Sequence, residues 1–209
     1  MCATYWIDDT AAIEILELIN ELNKQFGYTS FSYEQLFPEG TSLSGDIYPK
    51  ANSDVVIKNS DGFTLSRAYW GFPGSKSSVV FNSRSDKVSV SYFWKKAFDS
   101  NRGFVTCNGF YENKKDDTGK NIRYLFTLPN NELIFIAAIL DKKADANGNE
   151  KEYYSLVTTE ANDSVSPIHN RMPLILDENQ LYDWVSDCDF AKKVLTGSMP
   201  SLIYQASQK

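Results

Sequence analysis

The 209-residue chain has few residues of the kinds that build metal centres or disulfide frameworks. It contains one histidine, His169, and three cysteines, Cys2, Cys107 and Cys188, with no Cys-x-x-Cys pair among them. An odd number of cysteines without ligand spacing argues against a disulfide framework and against a zinc finger. We therefore expect no metal, no cofactor and a reducing, cytoplasmic compartment.

The chain also lacks a long apolar run and an excess of positive charge. No apolar run approaches the roughly 20 residues of a membrane-spanning helix, and the opening MCATYWIDDT has neither the basic nor the apolar region of a signal peptide. The net charge of −6 argues against general affinity for nucleic acid. Residues 50–123 nevertheless carry 13 Lys/Arg against 7 Asp/Glu. This basic middle is compatible with a local phosphate-binding face, and equally with a solvated surface.

What the chain does have is material for a core, with 42% hydrophobic residues and abundant aromatics. A helix is predicted over about residues 10–26, where apolar residues recur on one face and Gly27 follows as a stop. A second helix is predicted from Ser85 or Asp86 to about Phe98, and two more near 178–186 and 189–195.

Strand patterns dominate the rest of the sequence. DVVIKN and FTLSRAYWGF flank a turn at Ser60-Asp61-Gly62, and RYLFTL and ELIFIAAIL are predicted to form a hairpin through Pro129-Asn130-Asn131. SSVVFNS, RGFVTCNGFYE, YYSLVTT and PLIL are further strand candidates. Strands outnumber helices and do not alternate with them, which predicts an α+β fold: one compact domain, residues 1–209, around a bent, barrel-like, mainly antiparallel sheet with flanking helices.

Cys2 is the first candidate for chemistry. If the initiator Met is removed, Cys2 carries an α-amine and a thiol on adjacent carbons. The reference pKa of an α-amine is about 7.7–8.0, so a sizeable share is free base near neutral pH. Such an amine can condense with an aldehyde, after which the thiol can close a thiazolidine ring, or it can act as an acyl-transfer nucleophile. An incidental cysteine near the start of the chain is the competing interpretation.

Four further residues are candidates with equally ordinary alternatives. Asn82 and Arg84 stand where a strand gives way to a helix, a good seat for a phosphate, although Ser or Asp capping a surface helix explains the same pattern. Glu112 follows Phe110 and Tyr111, so apolar surroundings would raise its pKa and suit it to acid–base work. A glutamate in solvent at a strand end is the alternative. His169, taken alone, is a structural residue more often than a catalyst.

Six short blocks stand in order along the chain: Met-Cys at the start, W-G-F-P at 70–73, F-N-S-R-S at 81–85, N-G-F-Y-E at 108–112, T-T-E-A-N at 158–162 and P-I-H-N-R-M-P at 167–173. Taken together, these blocks resemble the motifs of the SOS response-associated peptidase (SRAP) family. Each block alone is weak evidence for a family, whereas the ordered set is specific. The stretch Asp46-Ile47-Tyr48-Pro49 is similar to a further family segment.

The resemblance implies a monomeric sensor of abasic sites in single-stranded DNA, nucleoid-associated when bound. In this family the mature N-terminal cysteine captures the aldehyde of the opened sugar as a thiazolidine, and a peptidase-like or methionine-removal step exposes that cysteine; lyase activity is a further expectation. Cys2 would then be the nucleophile, and Asn82 would hold the N-terminus and the sugar. Glu112 would shuttle protons.

The resemblance also implies DNA contacts. His169 would open the sugar or orient the 3′ phosphate, and Arg84 would bind a phosphate beside the lesion. Thr158 and Pro49 match positions that line the DNA path. Trp70 matches the family too, and a core position for it is the competing interpretation.

Two departures from the family pattern affect affinity. Ala3-Thr4 replaces the usual Gly-Arg after Met-Cys, and the second tryptophan of the W-G-x-x-P-x-W loop is absent. Base stacking by an aromatic side chain contributes about 1–3 kcal/mol per base, so DNA affinity is expected to suffer more than the chemistry. Two other functions stay open: a cysteine peptidase or amidohydrolase using Cys2, Glu112 and His169, and a degenerate DNA-binding member.

Overall fold

A computed structural model describes residues 2–38, 44–75, 78–144 and 148–207. Its longest helix, α1, buries an apolar stripe against the sheet, and the buried Asn23 fixes it there by hydrogen bonds to both the amide and the carbonyl of Phe63. A 3₁₀ turn at Glu178–Gln180 precedes the last two helices. The helices are α1 Ala11–Gln25, α2 Tyr33–Leu36, α3 Ser85–Val88, α4 Lys95–Ser100, α5 Leu181–Ser186 and α6 Cys188–Val194.

Fifteen strands are described in these same ranges, most of them antiparallel to their neighbours. They are β1 Tyr5–Ile7, β2 Gly45–Ile47, β3 Asn52–Asn59, β4 Gly62–Trp70, β5 Phe72–Pro73, β6 Val79–Val80, β7 Asn82–Arg84, β8 Arg102–Cys107, β9 Gly109–Lys115, β10 Asn121–Thr127, β11 Ile134–Ala144, β12 Glu150–Glu160, β13 Arg171–Pro173, β14 Ile175–Leu176 and β15 Ile203–Ala206.

Five of these strands close into a ring. β3 pairs with β4 and β8, β11 pairs with β8 and β12, and the parallel pairing of β12 with β4 completes the circuit. β7, β13 and β14 extend the ring at its rim. The strand β8 is buried along its whole length and β11 from Ile134 to Leu140, which is what closure of a sheet around its own core requires. The predicted α+β fold around a barrel-like, mainly antiparallel sheet is confirmed.

A second sheet has the strand order β15-β10-β9-β1-β2, and its strand β1 contacts the ring. The hydroxyl of Tyr5 on β1 reaches those of Ser53 and Tyr154 on two ring strands, at 2.8 and 3.0 Å. This buried contact joins the start of the chain to the interior of the ring. The amino-terminal residues are therefore held between the two sheets.

Three local predictions need correction. The single helix expected over 85–98 is two helices, α3 and α4, because the intervening residues 89–93 turn away from the core and only the positions around them are buried. RGFVTCNGFYE is two strands, one in each sheet. RYLFTL and ELIFIAAIL do not form a hairpin: β10 pairs with β9 and β15, whereas β11, buried on both faces, belongs to the ring.

The helices of the described ranges are too short or too polar for any of them to cross a membrane.

Candidate nucleophile and nucleic-acid site

Cys2 lies in the interior, with none of its surface exposed to solvent. The side-chain amide of Asn82 donates a hydrogen bond to the carbonyl oxygen of Cys2 over 2.8 Å. Asn82 stands at the start of β7, which pairs in parallel with β12, so the ring itself sets the position of this amide. The other amide atom of Asn82, Oδ1, is buried and has no hydrogen-bond partner within the described part of the chain. It therefore offers an acceptor beside Cys2.

Glu112 is the second buried polar group near Cys2. It lies on β9, between β1 and β10, and only 3% of its surface is exposed. Burial penalises the ionised carboxylate and raises the pKa of Glu112 to about 7. A carboxyl group with this pKa can both donate and accept a proton near neutral pH, which is the property of an acid–base catalyst.

The thiol of Cys2 is not set up as a thiolate. Burial raises its pKa well above the usual value, and the negative charge of Glu112 raises it further. The backbone N–H of Tyr111 donates to the carbonyl of Thr4 at 2.9 Å, which places the segment of Cys2 beside the strand that carries Glu112. At neutral pH this thiol is protonated, so a proton acceptor is needed before the sulfur can attack.

His169 lies on the turn that joins β12 to β13, half-buried. Its Nδ1 lies 3.0 Å from the backbone nitrogen of Arg171 and 3.1 Å from the carbonyl oxygen of the same residue, so the tautomer decides whether Nδ1 accepts or donates. Burial lowers the pKa of His169. This favours the neutral imidazole, which carries one N–H donor. Lys114 from the Glu112 strand donates to the carbonyl of Pro167 at 2.7 Å, which ties this turn to β9.

Arg84 ends β7 and is exposed, with its guanidinium held by its own neighbour Asp86. Two hydrogen bonds, of 2.9 and 3.0 Å, join the two side chains, and this pairing raises the pKa of Arg84. The following helix α3 is four residues long, so it contributes little of the helix dipole expected at a phosphate seat. Because these hydrogen bonds occupy Nε and Nη2, the carboxylate of Asp86 competes with any phosphate for this guanidinium.

No group of three or more His, Cys, Asp and Glu side chains within residues 2–38, 44–75, 78–144 and 148–207 is placed to hold a metal ion. The groups that this region offers are an aminothiol precursor, a carboxyl group of raised pKa, an imidazole and an exposed guanidinium.

Comparison with known families supplies the classification. A family model described as "SOS response associated peptidase (SRAP)" matches residues 1–204. The chain belongs to the SRAP family. Among curated proteins, it is 26% identical to the abasic site processing protein YoqW of Bacillus subtilis over 176 residues, 79% of each chain. It is 30% identical to the abasic site processing protein HMCES of Gallus gallus over 189 residues, 77% of this chain and 55% of that protein.

Solved structures show the same fold. A protein from Bordetella bronchiseptica superposes with a TM-score of 0.75 at 17% identity and covers 100% of both chains. A protein from Bacteroides thetaiotaomicron superposes with a TM-score of 0.72 at 18% identity, over 98% of this chain and 91% of that one.

Two of the DNA contacts expected from the SRAP resemblance lie inside the fold. Trp70 and Thr158 are both 0% exposed. The indole N–H of Trp70 donates to the carbonyl of Phe81 at 2.8 Å, and Thr158 Oγ1 donates to the carbonyl of Ser83 at 3.3 Å. Burial speaks against direct contact of either side chain with DNA, and both support the strand that carries Asn82 and Arg84. Pro49, half-buried, follows β2 and lies at the same end of the β1–β2 ladder as Cys2.

Sequence reasoning assigned no role to Arg171 or to Asp86. Arg171 is buried and donates through Nη2 to the carbonyl of Thr158, so it braces the rim of the site. It lies inside the P-I-H-N-R-M-P block, which was the available signal. For Asp86, two residues after Arg84, the sequence suggests nothing beyond a helix cap, and the structure uses it as an ion-pair partner instead.

Proposed function

We propose that this SRAP protein is an abasic-site sensor that binds single-stranded DNA and crosslinks to it covalently through Cys2. The related proteins YoqW, YedK and HMCES carry the name abasic site processing protein, which supports abasic DNA as the partner. The observation that carries the proposal is the buried trio of Cys2, Asn82 and Glu112. Crosslinking requires the removal of Met1, which lies outside the described residues.

The proposed reaction consumes one aldehyde and releases one water. The α-amine of Cys2 adds to C1′ of the ring-opened sugar, and the resulting carbinolamine loses water to give an imine. The sulfur of Cys2 then adds to the same carbon while its proton is transferred to the imine nitrogen, which closes the thiazolidine ring. Proton transfer is needed at dehydration and at ring closure. Glu112, with a pKa of about 7, suits both steps because neither of its protonation states is rare at neutral pH.

The remaining residues are assigned positioning and binding roles. Asn82 fixes the backbone of Cys2 through its carbonyl, which limits the positions open to the attacking amine. The neutral imidazole of His169 donates from Nε2 to an oxygen of the sugar or its 3′ phosphate. Arg84 binds a phosphate beside the lesion in exchange for Asp86.

A cysteine peptidase using Cys2, Glu112 and His169 is the alternative, and the electrostatics disfavour it. Peptidases of the Cys–His type need a thiolate, and their cysteine pKa is lowered accordingly. Here burial and Glu112 raise the pKa of the thiol. An amine-first mechanism tolerates a protonated thiol, since the sulfur attacks only after the imine has formed.

The test is an SDS-resistant adduct between purified protein and a single-stranded oligonucleotide carrying one abasic site. Intact mass first establishes that Met1 is absent, and the adduct mass should equal protein plus DNA minus one water. Cys2→Ala should abolish the adduct, and the control Cys188→Ala, at a half-buried cysteine, should leave it unchanged. Lack of any adduct from Met-free wild type contradicts the proposal, and DNA-independent turnover of a peptide favours the alternative.

A further inference from the structure

The loop of residues 89–94, between α3 and α4, exposes apolar side chains in a way the rest of the described surface does not. Val90 is 70% exposed, Tyr92 101% and Phe93 39%. Single exposed apolar residues are common, whereas three within four positions mark a binding surface more often than chance. We call residues 89–94 the Tyr92 loop.

The Tyr92 loop is held in place. The backbone N–H of Ser91 donates to the carbonyl of Lys87 at 2.8 Å, and the N–H of Trp94 donates to the carbonyl of Ser91 at 3.0 Å. Trp94 is buried edge-on against Phe72 with ring centroids 5.0 Å apart, and it packs against Phe93 at 4.4 Å. Tyr92 is thus presented outward from a fixed base, which lowers the entropic cost of binding anything against its ring.

The surroundings of the loop carry a small excess of positive charge. Residues 84–96 hold four Lys/Arg and one acidic residue, and three of these cations form ion pairs: Arg84 with Asp86, Lys95 with Asp99 and Lys96 with Asp141. Lys143 from β11 places its ammonium 5.0 Å from the centre of the Phe93 ring and 5.1 Å from that of Phe72. Aromatic rings and cations together suit single-stranded DNA, because its bases stack on aromatic rings and its phosphates pair with cations.

The loop is also close to the phosphate-binding residue of the proposed site. Tyr92 follows Arg84 by eight residues, four of which form α3. The Cα atoms of Arg84 and Tyr92 are therefore at most about 20 Å apart. A few nucleotides of an oligonucleotide bridge that distance. We propose that the Tyr92 loop is a second contact for single-stranded DNA, with the Tyr92 ring stacking on a base and Lys143 facing the backbone. This inference rests on the proposed function only in taking single-stranded DNA as the ligand.

The test is fluorescence anisotropy with an undamaged, labelled 20-mer of thymidylate, which binds without crosslinking. Tyr92→Ala should weaken binding between about 5-fold and 100-fold, the range of one lost base stack, and Tyr92→Phe should bind as wild type. Lys143→Gln should lower the slope of log affinity against log salt by about 0.7, the value of one single-strand phosphate contact. Because Tyr92 is fully exposed, its substitution leaves the core untouched.

Tyr33→Ala, at a half-exposed tyrosine of α2, is the matched control and should leave affinity unchanged. Equal affinity of Tyr92→Ala and wild type overturns the inference, as does an equal loss in the Tyr33 control or a failure of wild type to bind the 20-mer. A change in oligomeric state of Tyr92→Ala with unchanged DNA affinity assigns the loop to a protein contact and also overturns it. Ring-dependent binding without any adduct on abasic DNA contradicts the proposed function alone.

Discussion

Replacing Glu112 by Gln removes an ionisable group from the interior and should change how stability depends on pH. The pKa of Glu112 is raised from 4.5 to about 7 in the folded protein because burial disfavours the carboxylate. Below the pKa of the unfolded chain, the carboxyl group is protonated in both states and the folded protein keeps its full stability. As pH rises from there through the pKa of the folded protein, this stability is lost, because the buried carboxylate is disfavoured. Wild type therefore bears a penalty at high pH that the Gln variant does not.

Linkage gives the size of this effect. With values of 4.5 and about 7, the penalty is about 1 kcal/mol at pH 5 and about 3 kcal/mol at pH 8. The difference in unfolding free energy between Glu112→Gln and wild type should thus shift in favour of the variant by about 2 kcal/mol between these pH values. Urea titrations at both pH values measure it, and m-values check that the transitions are comparable.

The control is Glu132→Gln at an exposed position, which accounts for the substitution of a carboxylate by an amide. A difference for Glu112→Gln that is equal at pH 5 and pH 8, or that shifts against the variant, refutes the burial argument. In the crosslinking assay the same variant should be slowed at every pH, because an amide cannot exchange the proton.

Further predictions concern the groups around Cys2. Asn82→Ala should lower the unfolding free energy by about 1 kcal/mol, the value of one buried hydrogen bond, and should also slow adduct formation in single-turnover assays. Asp86→Asn should strengthen binding of single-stranded DNA by freeing Arg84. Arg84→Ala should weaken binding and reduce the slope of log affinity against log salt by about 0.7. Equal affinities of Asp86→Asn and wild type in an anisotropy titration would contradict the idea that Asp86 competes with phosphate for Arg84. His169→Ala should raise the apparent dissociation constant for abasic DNA more than it lowers the rate at saturation, because a neutral imidazole is suited to donate a hydrogen bond; the reverse split would assign it to proton transfer.

The local sequence pattern is enough to predict the helices and strands with a strong hydrophobic periodicity. The helix α1 follows directly from its stripe, and β3 and β4 follow from the turn between them. The pairing of β10 and β11 could not be predicted, because adjacency in sequence favours a hairpin and only the closure of the ring explains why the two strands separate. The split between α3 and α4 has the same origin, since the residues that turn outward are as apolar as those that stay inside.

The site was accessible only through the resemblance of ordered motifs. Nothing in the local sequence of Cys2 or Glu112 indicates that they lie in the same region, because this depends on the pairing of β1 with β9. The ion-pair partner of Arg84 could not be predicted from the sequence either. The sequence predicts Arg84 as a phosphate ligand, and its bidentate pairing with Asp86 depends on side-chain geometry at the end of β7.

The place of β1 within its sheet has a consequence for the fate of a crosslink. Chain termini commonly fray, but β1 is hydrogen-bonded along both edges, to β2 and to β9, and Tyr5 anchors it in the ring. Local opening of such a strand costs far more than fraying and approaches the cost of unfolding the domain. Under the proposed function, a DNA strand joined at Cys2 would be tethered three residues before this doubly paired strand. We expect its release by a protease to require the opening of β1.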